Sequence, residues 1–443
     1  MEKANFGQIV SFLFGIANDC LVDTYDVGDY RKIILPMMVI RRFDAVLEPT
    51  KEKVLKMKEQ LDAAGITDQD EALCIVAGEA FCNSSPYTLS DLKSRTNQQQ
   101  LKSDFILYLN GFSQNVQDII KRFEFRNQID KLSEHDILGL LISKFTDSSV
   151  NLSNRPIYDA KGNILQPALD NHTMGTVFEE VIRKFNEETN ITDAGRHFTP
   201  RDIVELITDL AFVPVKDKIQ STTYRIYDGA CGTGGMLTVA EGRIQEVAKE
   251  FGKNVSIHLY GQENSDETYA IARSDMLVKG EGVQANNIFF GSTISNDGFS
   301  GETFDFMLSN PPFGTPWKTD LKAWGDIKKD EITDTRFRVD YKGEDFSLIP
   351  DIGDPQMLFL ANNISKMKKN TALGSRIVEV HNGSSLFTGK AGQGPSNLRQ
   401  YILEQDLLEA IVAVPEKMFY NTGIATYIWI CLLYTSPSPR DTR

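Results

Sequence analysis

The sequence predicts an α/β protein built on a doubly wound, mainly parallel sheet, preceded by an all-helical N-terminal domain. Three observations predict it. From residue 224 onward, short apolar strands alternate with amphipathic helices. A Gly-rich turn, DGACGTGG (228–235), joins the first of those strands to the helix after it. Before residue 145 the pattern is helical, with little sign of a strand. Strands that alternate with helices bury both faces of a parallel sheet under crossover helices.

Composition agrees and narrows the choice. A chain of 443 residues suggests about two or three domains. Apolar content of 41% and aromatic content of 10% supply a packed core and exclude wholesale disorder. Cys20, Cys74, Cys82, Cys231 and Cys431 form no CxxC pair, so neither a disulfide framework nor a zinc knuckle is expected. The opening MEKANFGQIVSFLFG lacks a basic leader before a long apolar run. The longest apolar run, YIWICLLY (427–434), is far short of a membrane span. The expectation is a reduced, cytoplasmic protein without membrane contact. A net charge of −14 argues against gripping nucleic acid by charge alone. A local basic groove or a cationic partner stays compatible with it.

The elements follow in order. In DYRKIILPMMVIRRFDAVLEPTKEKVLKMKEQLDAAG, Ile33, Ile34, Met37, Met38, Ile40 and Val46 make an apolar helical face, while Arg41, Arg42 and Lys51 to Lys58 are expected to face outward. Pro36 is placed to kink this helix. Helical patterns continue over 98–125 and 133–145, where Ser133 with Asp136 reads as a start signal. Residues 146–172, rich in Ser, Asn, Pro and Gly, read as a linker or irregular crossing. A helix is expected over 173–188, and Thr199-Pro200 starts another. Strand candidates are 224–228, 255–263, 304–309, 375–380, 408–414 and 425–433, with helices at 234–251, 265–279, 354–369 and 396–404.

The Gly-rich turn carries the first functional signal. Asp228 ends a strand, and Gly229, Gly232, Gly234 and Gly235 let the backbone take positive φ and approach a ligand closely. Open α/β sheets bind nucleotides in such a crevice. The spacing is neither GxxxxGK[ST] nor GxGxxG, which excludes a nucleoside triphosphatase loop. Alone, the segment also reads as an ordinary tight turn. Glu263 ends the next strand, in YGQE, where an acid can accept from both hydroxyls of a ribose.

The second signal is FDFMLSNPPFG, an apolar strand followed by Asn310, Pro311, Pro312 and Phe313. The prolines stiffen the turn. The Asn310 side-chain carbonyl and the Pro311 carbonyl make two rigid acceptors for the hydrogens of a planar exocyclic amine. Held there, the amine turns its lone pair toward an electrophile. Phe313 can stack on an extruded base. By itself NPPF also reads as a Pro-Pro turn; one α/β unit beyond Glu263, the amine-binding reading prevails.

DGACGTGG, YGQE and NPPF, in this order and preceded by HFTP, resemble S-adenosylmethionine-dependent DNA adenine methyltransferases. More closely, the chain resembles the modification subunit of type I restriction–modification systems, over most of residues 1–430. The runs YRKIILPMMVIRRFDAVL and HNGSSLFTGKAGQGPSNLRQYILEQDLLEAIVAVPEKMFYNTGIATYIWI carry that closer likeness. The resemblance implies a Rossmann-like methyltransferase sheet and S-adenosylmethionine as cofactor. It implies a helical domain over 1–150 and a catalytic domain over 165–433; the composition of 434–443, where the resemblance stops, reads as an unstructured, non-native tail. Asp228, Gly229, Gly232 and Gly234 would shape the cofactor turn and Glu263 would hold the ribose. Phe198, Thr199 and Pro200 would line the methionine end, although Phe198 and Thr199 equally read as a core aromatic and a helix cap. Asn310, Pro311, Pro312 and Phe313 would hold the target adenine. Asn382 and Asn421 follow strands near the base pocket, with turn Asn as their ordinary reading.

The chain departs from the family where a Gly-Asp-Thr turn usually contacts the adenine ring. It has Gly291-Ser292-Thr293 there, so Ser292, Asn286 or Asn287 would serve. The end, CLLYTSPSPRDTR, also departs, where a helical extension docking a partner is expected. The polar stretch 314–353 mixes Trp317, Lys318, Lys322, Arg336 and Arg338 with many acids. It reads as a solvated surface or as a loop that orders on DNA; 389–400 is a second flexible candidate. No recognition helix or zinc finger is visible. The resemblance implies double-stranded DNA, a specificity subunit, a restriction subunit and a second copy of the chain as partners. A methyltransferase acting on RNA or protein glutamine, and a truncated, impaired subunit, remain the alternatives.

Overall fold

The computed structural model describes residues 3–147, 151–188, 199–279, 282–369, 371, 373–419 and 423–433. Phe198, Asn421 and the tail 434–443 lie outside the described residues. The chain forms two compact units. One gathers the described residues of 1–191 and 266–286; the other gathers those of 192–265 and 287–443.

The second unit is built on a seven-stranded sheet. Its strands are β1 (Thr223–Asp228), β2 (Ser256–Glu263), β3 (Ile288–Phe290), β4 (Phe306–Ser309), β5 (Ser375–Asn382), β6 (Leu408–Val414) and β7 (Thr426–Leu433). They lie in the order β6-β7-β5-β4-β1-β2-β3. β5, β4, β1, β2 and β3 run parallel, and β7 runs antiparallel to both β5 and β6. The expected strands are present within a residue or two. β3 is an addition: its three residues, Ile-Phe-Phe, are too few to show a period.

Alternate strand residues feed opposite layers. Tyr227, Met307, Ile377 and Trp429 join one buried cluster, together with Met357 and Leu360 of the helix Gln356–Ser365. On the other face Phe306 packs edge-on against Phe212, ring centroids 4.9 Å apart, at the end of the helix Arg201–Phe212. That helix packs on the helix Gly235–Glu250, which follows β1. Burial on both faces explains why the strands read as apolar runs. Each large side chain so buried is worth about 1.5–3 kcal/mol. The chain winds outward through β1, β2 and β3, then returns to β4 on the other side of β1. This reversal opens a crevice at the carboxyl ends of β1 and β4, the place where open α/β sheets bind ligands.

The stretch 314–353 is a folded insertion, which corrects the expectation of a solvated or DNA-ordered loop. It holds the short helix Lys318–Ala323 and a ribbon of Arg338–Tyr341 with Glu344–Ser347. Trp317, Ile332, Phe337, Leu348 and Ile349 are buried in the cluster beneath the sheet. These apolar residues are spaced without a period among charges, so their common burial is not visible in the sequence.

The first unit is helical. Its hub is the helix Arg31–Leu47, which carries Pro36 inside it and buries nearly every residue from Ile33 onward. The helices Ile137–Phe145, Asn171–Glu188 and Asp266–Val278 pack on it. Asp44, 5% exposed, accepts from the Leu89 amide (3.0 Å) and the Tyr108 hydroxyl (3.0 Å). Two outward expectations are corrected. Arg42 is buried and donates to the Leu152 carbonyl at 2.6 Å, and burial lowers its pKa to about 10. Lys51 reaches the carbonyl oxygens of Asn83 at 3.1 and 2.9 Å, and burial lowers its pKa to about 8. Long cationic side chains bury their stems when a backbone acceptor meets the head.

Two helix boundaries also change. The run 98–125 breaks into Gln98–Asn110 and Gln114–Arg122; between them Gly111 lies where a Cβ would come within 2.4 Å of the Ser85 nitrogen, so only glycine fits there. Ser133 does not start a helix. It lies in the last turn of Ile129–Glu134, and Asp136, at φ 59°, turns the chain into Ile137–Phe145. Aspartate tolerates that left-handed backbone better than most residues. Residues 146–172 are irregular apart from a small ribbon of Ile157–Tyr158 and Ile164–Gln166. Among the described residues no helix is long and apolar enough to cross a membrane.

Candidate active site

The turn after β1 is shaped by its own hydrogen bonds. Asp228, 2% exposed, accepts from the Ala230 amide at 2.9 Å and from the Ser309 hydroxyl at 2.8 Å. The Cys231 amide donates to the Gln262 carbonyl (3.0 Å), and the Gly234 amide to the Cys231 carbonyl (2.8 Å). Gly232 and Gly234 take φ of +56° and +84°, where a Cβ is strained. A Cβ at Gly232 would meet no atom within 4 Å. The turn therefore leaves open space beside Gly232. Gly229 is needed for packing within the turn: a Cβ there would lie 2.9 Å from the Tyr227 hydroxyl.

Glu263, at the end of β2, ties this turn to its own strand. One carboxylate oxygen accepts from the Gly232 amide at 2.9 Å; the other accepts from the amides of Asn264 (2.9 Å) and Ser265 (2.8 Å). The carboxylate expected at the ribose is thus held rigidly against the Gly-rich turn. Burial raises the Asp228 pKa to about 7, and the nearby Glu263 and Glu379 charges add to it. The Ala230 amide and Ser309 hydroxyl pull the other way. Glu379 is fully buried on β5 opposite Ser309, and accepts from Asn363 (2.6 Å). Its carboxylate also lies 2.9 Å from His381 Nε2, and burial raises its pKa.

The turn after β3 closes the crevice on the far side. Gln262 donates to the carbonyls of Gly291 (3.1 Å) and Asn296 (2.7 Å). Thr293 donates to the Gly229 carbonyl, joining this turn to the Gly-rich one. Ser292 donates to Asp320 at 2.5 Å, and Ser295 donates to the same oxygen at 2.6 Å. Arg336 donates to the carbonyls of Thr293 and Ile294, each at 2.7 Å. Both Asp320 and Arg336 come from the folded insertion. Of the alternatives to Ser292, the Asn286 side chain accepts from Arg273 (3.4 Å), while the Asn287 backbone carbonyl accepts from the Gly261 amide (3.0 Å).

Asn310 follows β4, one strand from the Gly-rich turn. Its Nδ2 donates to the Thr199 hydroxyl at 2.9 Å. That contact orients the amide, with its carbonyl end turned away from Thr199. Pro200 is the N-cap of the helix Arg201–Phe212, so HFTP meets NPPF through Thr199. Pro311 is buried, Pro312 half-buried, and Phe313 5% exposed. A base that stacks on Phe313 must therefore displace what covers the ring. Gly314, next along, donates to Asp354 at 3.3 Å. Asp354 accepts from Gln356 (2.6 Å), which also donates to Asn382 (2.7 Å). Asn382 is in this way joined to the NPPF segment.

Of the residues singled out in the sequence, the structure brings Asp228, Glu263, Thr199 and Asn310 together at the carboxyl edge of the sheet. Sequence reasoning missed Ser309, Asp320, Arg336, Asp354 and Gln356. Ser309 was adjacent to a motif and could have been found; the others lie in polar stretches with no spacing signal. The donor set suits S-adenosylmethionine. Carboxylates such as Glu263 and Asp320 can accept hydroxyl and amine hydrogens and favour a cationic ligand, whereas they would repel a phosphate. The open space beside Gly232 admits the ligand's close approach.

Comparison with known proteins identifies the family. Residues 9–145 match the HsdM N-terminal domain, and residues 169–434 match the N-6 DNA methylase family. The type I restriction enzyme MjaIX methylase subunit of Methanocaldococcus jannaschii is 25% identical over 314 residues, covering 71% of this chain and 47% of that one. The HindI methylase subunit of Haemophilus influenzae is 26% identical over 299 residues, covering 67% and 58%. The chain spans about half the length of the curated relatives it matches. A crystal structure of a type I restriction-modification system methyltransferase subunit from Streptococcus thermophilus shares the fold. It superposes with a TM-score of 0.67 at 20% identity, covering 97% of this chain and 85% of that one. On the match over 169–434, the chain belongs to the N-6 DNA methylase family.

Proposed function

We propose that the chain transfers a methyl group from S-adenosylmethionine to the 6-amino group of adenine in DNA. In this reading it is the modification subunit of a type I restriction–modification complex. The observation that carries the proposal is Asn310 at the switch point of the sheet, its amide oriented by Thr199 and one strand from the Gly-rich turn. Gly229, Gly232 and Gly234 with Asp228 and Glu263 would hold the cofactor, with Phe198, Thr199 and Pro200 at its methionine end. The cofactor supplies a methyl group made electrophilic by its sulfonium.

The chain's own residues supply positioning. The target adenine leaves the duplex at a cost of a few kcal/mol. The carbonyls of Asn310 and Pro311 accept the two amine hydrogens, turning the nitrogen lone pair toward the methyl group. The bound cofactor would supply the methyl group to this nitrogen, and the amine would give up one proton to water. Pro312 stiffens the turn. Stacking on Phe313 would return about 1–3 kcal/mol of the extrusion cost.

The partners follow the same reading: double-stranded DNA, a specificity subunit, a restriction subunit and a second copy of this chain. The −14 charge supports a division of labour in which a partner grips and reads DNA. In this scheme the catalytic domain is 165–433, the helical domain 1–150 makes contacts to DNA or to other subunits, and the complex works in the cytoplasm. The test is Asn310→Ala, assayed in complex with a specificity subunit. Cofactor binding is expected to persist while methylation falls at least about a hundredfold, as for loss of an electrostatic positioning group. Methylation at the normal rate would overturn the assignment.

A further inference from the structure

We infer that Asp320 reads the 6-amino group of the cofactor's adenine ring, an inference that rests on the cofactor reading above. Asp320 is 7% exposed and sits on the short helix Lys318–Ala323 of the insertion. Ser292 and Ser295 both donate to Oδ1, at 2.5 and 2.6 Å. Among the described residues no group donates to Oδ2. The two serines thus fix the carboxylate in place and leave its second oxygen to accept from a ligand.

The neighbourhood says which part of the ligand. The Gly291 amide donates to the Glu263 carbonyl at 2.9 Å, so the turn that carries Ser292 abuts the residue that would hold the ribose. From β1 through β2 to β3 the crevice passes the Gly-rich turn, then Glu263, then this turn. A nucleoside with its hydroxyls on Glu263 extends its base toward Ser292 and Asp320. A buried carboxylate accepts hydrogens and donates none, so it favours an amine at purine position 6 and repels an oxo group there. Sites built around such a bond discriminate strongly against analogues that lack it.

The test is calorimetry on the full chain with S-adenosylhomocysteine and with its 6-oxo analogue, S-inosylhomocysteine. The wild type is expected to prefer the 6-amino ligand by at least about tenfold. Asp320→Asn keeps an acceptor for both serines and gains an NH2 donor. It should bind the 6-amino ligand at least about tenfold more weakly and lose the preference. Adding Ser292→Asp to that variant should restore the preference, which a purely structural role would not do. Equal wild-type affinity for the two ligands would overturn the inference whatever the variants do. So would an Asp320→Asn variant that keeps the wild-type preference, or one that weakens both ligands alike. A wild type that binds neither ligand would overturn the cofactor reading itself, and this inference with it.

Discussion

Gly232→Ala separates the backbone's need for glycine from the ligand's need for space. At φ +56° an alanine costs about 1–2 kcal/mol relative to a residue in its preferred region. A Cβ there meets no protein atom within 4 Å, so no steric cost within the fold is added. Gly343 is the matched control, with φ +81° and equally open surroundings, in the turn of the ribbon Arg338–Ser347. Both substitutions are expected to lower stability by about 1–2 kcal/mol in urea denaturation. Their effects on S-adenosylmethionine binding should diverge. The Gly232 variant places a methyl group where the ligand approaches the backbone, and its affinity should fall at least about tenfold, or 1.4 kcal/mol. The Gly343 variant should bind like the wild type in calorimetry. Equal affinities for the two variants would refute the assignment of this turn to the cofactor.

Other perturbations test the parts around it. Asp228 has a folded pKa of about 7 against an ordinary value of 3.8, so its stabilising contribution is complete below 3.8 and is lost as pH rises through 7. Relative to Asp228→Asn, whose Oδ1 keeps both acceptor roles, the wild type should weaken between these values by about 1.4 kcal/mol per pH unit. Parallel pH profiles in urea denaturation would contradict the raised pKa. Arg336→Ala strips donors from the Thr293 and Ile294 carbonyls and leaves Asp334 without its 2.7 Å partner. A loss of about 3–5 kcal/mol is expected, with only partial recovery in Arg336→Lys, whose ammonium lacks the planar fork. An unchanged urea midpoint would show that the insertion is not pinned there.

What was legible in the sequence was what local chemistry dictates. β1, β2, β4, β5, β6 and β7 announce themselves because burial on both faces demands apolar runs. Gly232 and Gly234 announce a positive-φ turn, and NPPF announces a rigid one. The order of these motifs places them at one edge of a doubly wound sheet. What was hidden depends on long-range contact. Arg42 and Lys51 look like surface cations until Leu152 and Asn83 supply carbonyls for them. Asp320 lies among charges of both signs, and only the turn after β3 gives it partners. Trp317 and Phe337 are buried by a sheet that their own segment does not predict. Ser133 carries the side chain of a cap, yet Asp136 turns the chain first.

The central claim is adenine methylation organised by Asn310. Its most direct measurement is product analysis after incubating the chain, with a specificity subunit, with unmodified double-stranded DNA and S-adenosylmethionine carrying a labelled methyl group. The DNA is then digested to nucleosides. The account predicts the label in N6-methyl-2′-deoxyadenosine from the DNA, and its disappearance with Asn310→Ala. Label in methylated cytosine, in RNA or in protein glutamine would contradict it, as would no transfer by an assembled complex that binds the cofactor.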